Sequence, residues 1–153
     1  MTRTRRCDRS RGAVLVEMAL VAPIFLLLVF GIIEFGWAFV QYLDVRHGAR
    51  ETARLAAVNY STGGAVGAAQ STVIINEGCS RMDTAGDSDA TVAIDVANPG
   101  NIGDRVTVDV SADLDTLTGF LDFALGGITL DSEVVIRLED DASWAGATQA
   151  CPP

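Results

Sequence analysis

The sequence contains no lysine, and its one histidine is His47. Residues 59–153 carry three Arg against fifteen Asp and Glu, which gives this part a net charge of −12. Because proteins bind nucleic acids largely through Lys and Arg on the phosphates, this balance argues against DNA or RNA as a partner. One histidine without a partner pattern argues against a hydrolytic triad, and no Gly-rich phosphate loop is present. We therefore expect a protein that is not an enzyme, with no catalytic residue and no cofactor.

Metal-binding patterns are also missing from the sequence. Three acids, Asp83, Asp87 and Asp89, lie close together, but their spacing does not fit an EF-hand calcium loop. We interpret them as solvated loop acids and assign no metal site.

A long apolar run behind a basic head is the main feature that the sequence does contain. Five Arg, among them Arg9 and Arg11, give residues 1–12 a net charge of +4. Residues 18–33 carry no charge, and the apolar run continues to residue 43. A basic head, an apolar run and an acidic body are typical of a membrane protein whose N-terminus lies in the cytoplasm.

Two carboxylates, Glu17 and Glu34, bracket the uncharged part of this run. On a helix they would lie about 26 Å apart. That separation is close to the ~30 Å thickness of the hydrocarbon core of a bilayer. We therefore expect the two side chains near opposite faces of the membrane, where each can reach the headgroups.

The three cysteines fall on both sides of the predicted span. Cys7 would lie in the reducing cytoplasm, whereas Cys79 and Cys151 would both lie outside, where a disulfide between them can persist. Their pairing is left open by the sequence.

One helix is predicted from residue 13 to residue 58, longer than a membrane span alone requires. Pro23 is tolerated in a membrane span and predicts a kink. Beyond the span the helical pattern continues, and Arg46, Arg50 and Arg54 form one stripe at intervals of four residues.

Residues 59–139 are predicted to form a small extracytoplasmic domain, and residues 140–153 a disordered tail. Alternation of apolar and polar residues predicts three antiparallel strands with one buried face. A short helix and the alanine-rich end of the long helix would cover that face, so the fold class is α+β. In order, the expected elements are a helix at 65–76 ended by Gly78, strands at 91–96 and 105–110 joined by a turn at 98–101, an ambiguous short helix within 113–125, and a strand at 128–139.

Glu17 is the residue whose position most needs an explanation. In one interpretation it is an interfacial glutamate that reaches the cytoplasmic headgroups. In the other, cleavage after Gly12 frees the amine of Ala13, and Glu17 of one helix neutralises that amine on a neighbouring helix. Such a pair would fix the axial register of packed helices, because an unpaired charge in an apolar bundle costs several kcal/mol.

The sequence resembles a known family in this region. Gly12, followed by four residues and Glu17 behind a basic leader, is similar to the prepilin processing site of type IV filament proteins. The longer segments resemble the TadE-like pseudopilins, minor pilins of the tight-adherence (Flp pilus) machinery. These segments are residues 11–25, 30–36 and 46–58, with a further likeness over residues 103–139.

The resemblance implies that a membrane-embedded prepilin peptidase cleaves between Gly12 and Ala13, with Glu17 and Met18 acting in processing and assembly. The family usually has Phe or Tyr where Met18 stands, and we expect flexible, apolar Met to be accepted. Cleavage would leave residues 13–153 with six Arg and nineteen acids, a net charge of −13. The implied location is the bacterial inner membrane, with possible incorporation into the pilus. The implied partners are the peptidase, other pilins and pseudopilins, inner-membrane Tad assembly proteins and the lipid bilayer.

Two other interpretations stay open. A secreted protein would have a signal peptide cleaved after Gly36-Trp37-Ala38, but this site lies beyond Glu34 and the apolar run is long for a signal peptide. An uncleaved single-pass anchor would display the small domain for binding. In that case the spacing of Gly12 and Glu17 would be a coincidence.

Overall fold

A helix of 49 residues, α1 (Arg9–Ala57), carries the rest of the fold. The computed structural model describes residues 9–82, 89–97 and 100–152, with side chains from residue 12 onwards. The elements after α1 are α2 (Ala68–Cys79), β1 (Thr91–Val96), β2 (Arg105–Asp113), α3 (Asp122–Leu125), β3 (Thr129–Arg137) and β4 (Ala147–Ala150).

The first half of α1 exposes its apolar side chains along its whole length. The helix passes through Pro23 without ending, and it begins at Arg9, four residues before the predicted start. It is long and apolar enough to cross a membrane, and its most apolar window is not covered by the rest of the protein. These properties are the ones expected of a membrane anchor.

The second half of α1 is built into the domain. Val45, Ala49, Ala53 and Ala56 are fully buried and recur at the spacing of one helix face. Their small size lets the sheet approach the helix closely, and the sheet presents a layer of β-branched residues to them. Each fully buried Val or Ile contributes about 1.5–3 kcal/mol. The buried members from the first two strands are Val92, Ile94, Val96, Val106, Val108 and Val110.

The four strands form one antiparallel sheet in the order β3-β2-β1-β4. The predicted hairpin is confirmed, because Val92 pairs with Val110 and Ile94 with Val108. The α+β class is confirmed as well. The predicted number of strands is wrong, since a fourth strand pairs with the free edge of β1.

That fourth strand comes from the segment predicted to be a disordered tail. Trp144 is fully buried, and its indole Nε1 donates a hydrogen bond to Asn59 Oδ1 at 2.9 Å. β4 then pairs with β1, and Cys151 bonds to Cys79 with their Cα atoms 5.5 Å apart. The composition of small and acidic residues suggested disorder, but an anchoring tryptophan and an open strand edge order this segment.

Two smaller expectations also need correction. The second helix begins and ends later than predicted, and Gly78 lies inside it rather than after it. A Cβ at Gly78 would overlap the hydroxyl of Thr52 on α1. The absence of a side chain at Gly78 therefore lets the two helices pack closely. Within residues 113–125, Asp122–Leu125 alone is helical.

Several predicted features fall outside the described residues. They are the leader up to residue 8 with Cys7, the loop acids Asp83 and Asp87, and residues 98 and 99 of the hairpin turn. Gly100 of that turn is described, and its N–H donates to the carbonyl of Ala142 at 3.0 Å.

Candidate functional site

The predicted cleavage position lies in the first turns of α1. Gly12 and Ala13 are both helical and exposed, and no described atom lies within 4 Å of a Cβ built on Gly12. The backbone of Arg9 and Arg11 belongs to the same turns. Nothing described in the rest of the chain covers the bond between residues 12 and 13.

Glu17 and Met18 lie one turn further along on the exposed helix. They share a strip of surface with Val14 and Val21, which recur at helical spacing. Among the described residues, Glu17 has no hydrogen bond and no ion pair. Its carboxylate therefore stands on an apolar helix surface without a partner from the described part of its own chain.

Glu34 contrasts with Glu17, and the structure contradicts the expectation that it reaches the headgroups. Its side chain is 1% exposed. The carboxylate accepts hydrogen bonds from the backbone N–H of Leu117 at 2.9 Å and of Thr118 at 2.8 Å. It also accepts one from the Thr118 hydroxyl. A buried carboxylate needs such donors, because an unpaired buried charge is very costly.

Gln41 repeats this arrangement two turns later on the same face of α1. Its Nε2 donates to the carbonyl of Asp115 at 2.7 Å, and its Oε1 accepts from the N–H of Asp115 at 3.0 Å. On the other side of Glu34, the rings of Phe30 and Phe120 lie 5.4 Å apart. These three contacts, at Phe30, Glu34 and Gln41, hold the segment between β2 and β3 along the helix. We refer to them as the loop clasp.

Sequence reasoning missed the loop clasp. A signal was present, because Glu34 and Gln41 are polar, seven residues apart and embedded in an apolar run. That spacing places both on one helix face, and the face continues into the buried Val45. What the sequence did not reveal was the partner, since residues 115–118 lie more than seventy positions away.

A surface cluster of charges joins α1 to α2 near their packed ends. Arg54 pairs with Glu51 at 2.6 Å, and Arg81 pairs with Glu77 at 2.7 Å. Arg81 also lies 4.0 Å from Glu51. The adjacent Glu77 carboxylate raises the pKa of the Arg81 guanidinium further above its usual value. These exposed pairs contribute little to stability, and we assign them no chemical role.

A comparison with protein families matches one part of the chain. Residues 12–54 match the family model described as TadE-like protein. The resemblance inferred from the sequence is thereby confirmed over the helix, from the predicted cleavage position to the last turn of α1. The TadE-like match also supports involvement in Tad pilus assembly.

The TadE-like region does not include the sheet, so the likeness seen over residues 103–139 stays a prediction. Comparisons with curated proteins and with solved structures give no match. Within the described residues, no cluster of three or more His, Cys, Asp or Glu could hold a metal ion.

Proposed function

We propose that this protein is a minor pilin, or pseudopilin, of Tad (Flp) type IV pilus assembly. In this proposal α1 anchors it in the bacterial inner membrane, and a prepilin peptidase cleaves it between Gly12 and Ala13. The observation that carries the proposal is the TadE-like match, which begins at Gly12 and includes Glu17, a carboxylate on an apolar helix with no partner among the described residues. Its role is structural rather than enzymatic.

Glu17 supplies the chemistry of assembly in this proposal. Cleavage creates an ammonium group on Ala13, four residues before Glu17. Between neighbouring subunits, Glu17 of one helix neutralises the Ala13 amine of the next. A helix docked in the wrong register would leave both charges unpaired in an apolar environment, which costs several kcal/mol. Glu17 is available for this pairing because no described residue of its own chain engages it.

The two halves of α1 suit the two environments of a pilin. The apolar half could contact lipid before assembly and neighbouring pilin helices after it. The second half is already occupied by the sheet, so it holds the domain at a fixed position relative to the anchor. Partners in the proposal are the peptidase, other pilins and pseudopilins, and the inner-membrane Tad assembly proteins.

Intact mass of the protein from native membranes tests the proposal. Loss of residues 1–12, with Ala13 as the new N-terminus, is the expected result. Loss through Ala38 would instead identify a signal peptide. A full-length chain would identify an uncleaved anchor that displays a small binding domain, which is the alternative function.

A matched pair of variants makes the test sharper. A Cβ would meet open space at both Gly12 and Gly36, so a clash at the Cβ distinguishes neither position in the described part of the chain. Gly12→Phe should block processing by filling the small subsite before the cut, whereas Gly36→Phe should leave processing unchanged. Under the signal-peptide interpretation the two results would be reversed.

A further inference from the structure

The segment between β2 and β3 leaves large apolar side chains uncovered. Leu117 is 54% exposed, Phe120 is 47% exposed and Phe123 is 88% exposed. Asp122 is the one charged residue between Asp115 and Asp131. Single apolar residues on a protein surface are common, but three within seven positions of one segment indicate a contact surface.

The loop clasp places this surface beside the membrane-crossing part of α1. The segment meets the helix first at Gln41, then at Glu34, and finally at Phe30 through Phe120. It therefore runs along the helix towards the N-terminus. Phe30 lies about 6 Å beyond Glu34 in that direction.

Phe30 lies close to the outer end of the predicted membrane span. About 20 helical residues cross the hydrocarbon core. Counted from Ala13, such a span would end near residue 33, so Phe30 falls within its last turn. The ring of Phe120 lies against that of Phe30 and so reaches the same level, and Leu117 and Phe123 of the same segment are exposed.

We propose that residues 117–123 form a second membrane contact, here called the membrane foot. Leu117, Phe120 and Phe123 insert among the acyl chains at the outer boundary of the bilayer. Lipid is the occupant because the surface adjoins the lipid-facing part of α1. Asp122 stays among the headgroups and limits the depth of insertion.

The backbone of the foot is compatible with this position. Irregular segments are excluded from lipid when their N–H and C=O groups lack partners. Here Glu34 accepts from the N–H groups of Leu117 and Thr118, and Leu121 accepts from those of Ala124 and Leu125 at 2.9 Å. Glu34 is thus a positioning residue for the foot. The proposal requires the membrane span but not peptidase processing, so it goes beyond the proposed function.

Fluorescence quenching in full-length protein tests the proposal. The common background is Trp37→Phe, which leaves the buried Trp144 as a constant internal signal. Phe123→Trp reports on the foot. Ile102→Trp is the matched control, because Ile102 is 64% exposed on a loop near the other end of α1. The protein is reconstituted in phosphatidylcholine vesicles whose acyl chains carry bromine.

The expected result is a larger loss and a stronger blue shift of emission for Phe123→Trp than for Ile102→Trp. Leu117→Trp should also be quenched more than the control, and it keeps the test valid if Phe123→Trp fails to fold. Equal quenching of foot and control variants would overturn the proposal. Quenching of the foot variants that falls as the protein-to-lipid ratio rises would assign the surface to a second copy of the chain and would also overturn it.

Discussion

The two halves of α1 differ in what surrounds them, although both are helical and rich in apolar residues. The apolar window of the first half is not buried by the described part of the domain, whereas the second half is buried against the sheet and α2. Their carboxylates show the difference most clearly. Glu17 has no described partner, whereas Glu34 is enclosed by backbone amides from a distant loop. The first half is left free for other molecules, and the second half already has its partner within the chain.

The largest difference between the two halves should appear when the disulfide of the domain packed on the second half is removed. The Cys79–Cys151 disulfide spans 72 residues of sequence. In the chain-entropy model such a link contributes about 4 kcal/mol. The double variant Cys79→Ser with Cys151→Ser should lower the thermal unfolding temperature of the domain in detergent micelles, followed by tryptophan near-ultraviolet circular dichroism.

The helical signal of the first half should survive that change. Cys7→Ser serves as the control and should leave the unfolding temperature unaltered. If the double variant lost its helix and its domain in one transition, the two halves would not be independent.

A smaller effect is expected when the two glutamates are exchanged for alanine. Glu34→Ala leaves the amides of Leu117 and Thr118 without their acceptor, which should cost about 3 kcal/mol of domain stability. Glu34→Gln keeps one acceptor oxygen and should be intermediate. Unfolding of the full chain in detergent measures both.

Glu17→Ala should change stability by less than about 0.5 kcal/mol. Cleavage after Gly12 should continue, but incorporation into filaments, measured in sheared pilus fractions, should fall. Normal incorporation of Glu17→Ala would contradict the proposal that Glu17 fixes the register of neighbouring helices. An unchanged stability of Glu34→Ala would contradict a stabilising role for the loop clasp.

The smallest effect should come from adding one methyl group at an open position and at a packed position of α1. Gly36→Ala meets open space and should be neutral or stabilise the helix by at most about 1 kcal/mol. Gly48→Ala would overlap the side chain of Met82, which is buried against the helix. Because Met82 can shift, the expected loss is about 1 kcal/mol. Chemical denaturation of the two variants side by side measures the difference, and equal effects would contradict it.

The features that depend on local pattern were predictable from the sequence. The strict alternation around Val92 and Val108 defines the hairpin, and the spacing of Val45, Ala49 and Ala53 carries the helix past the membrane. The cleavage and assembly residues stay a prediction, which rests on a short motif at a basic-to-apolar boundary.

The features that depend on distant partners were not predictable. Residues 147–150 are short and weakly apolar, and they form a strand because β1 offers a free edge. From the sequence, Glu34 was expected to be an interfacial charge. In the structure its hydrogen-bond donors come from the distant Leu117 and Thr118. In both cases the deciding contact joins segments that are far apart in sequence, and no local pattern contains it.

The position of the disulfide has a consequence for how the protein withstands proteolysis. Cys79 lies at the end of α2 and Cys151 follows β4, so the covalent ring encloses the whole sheet and the foot. A single cut in any loop between the two cysteines therefore releases no fragment, because both pieces stay joined to the anchored helix. A nicked molecule would run as one species on a non-reducing gel and separate into two after reduction.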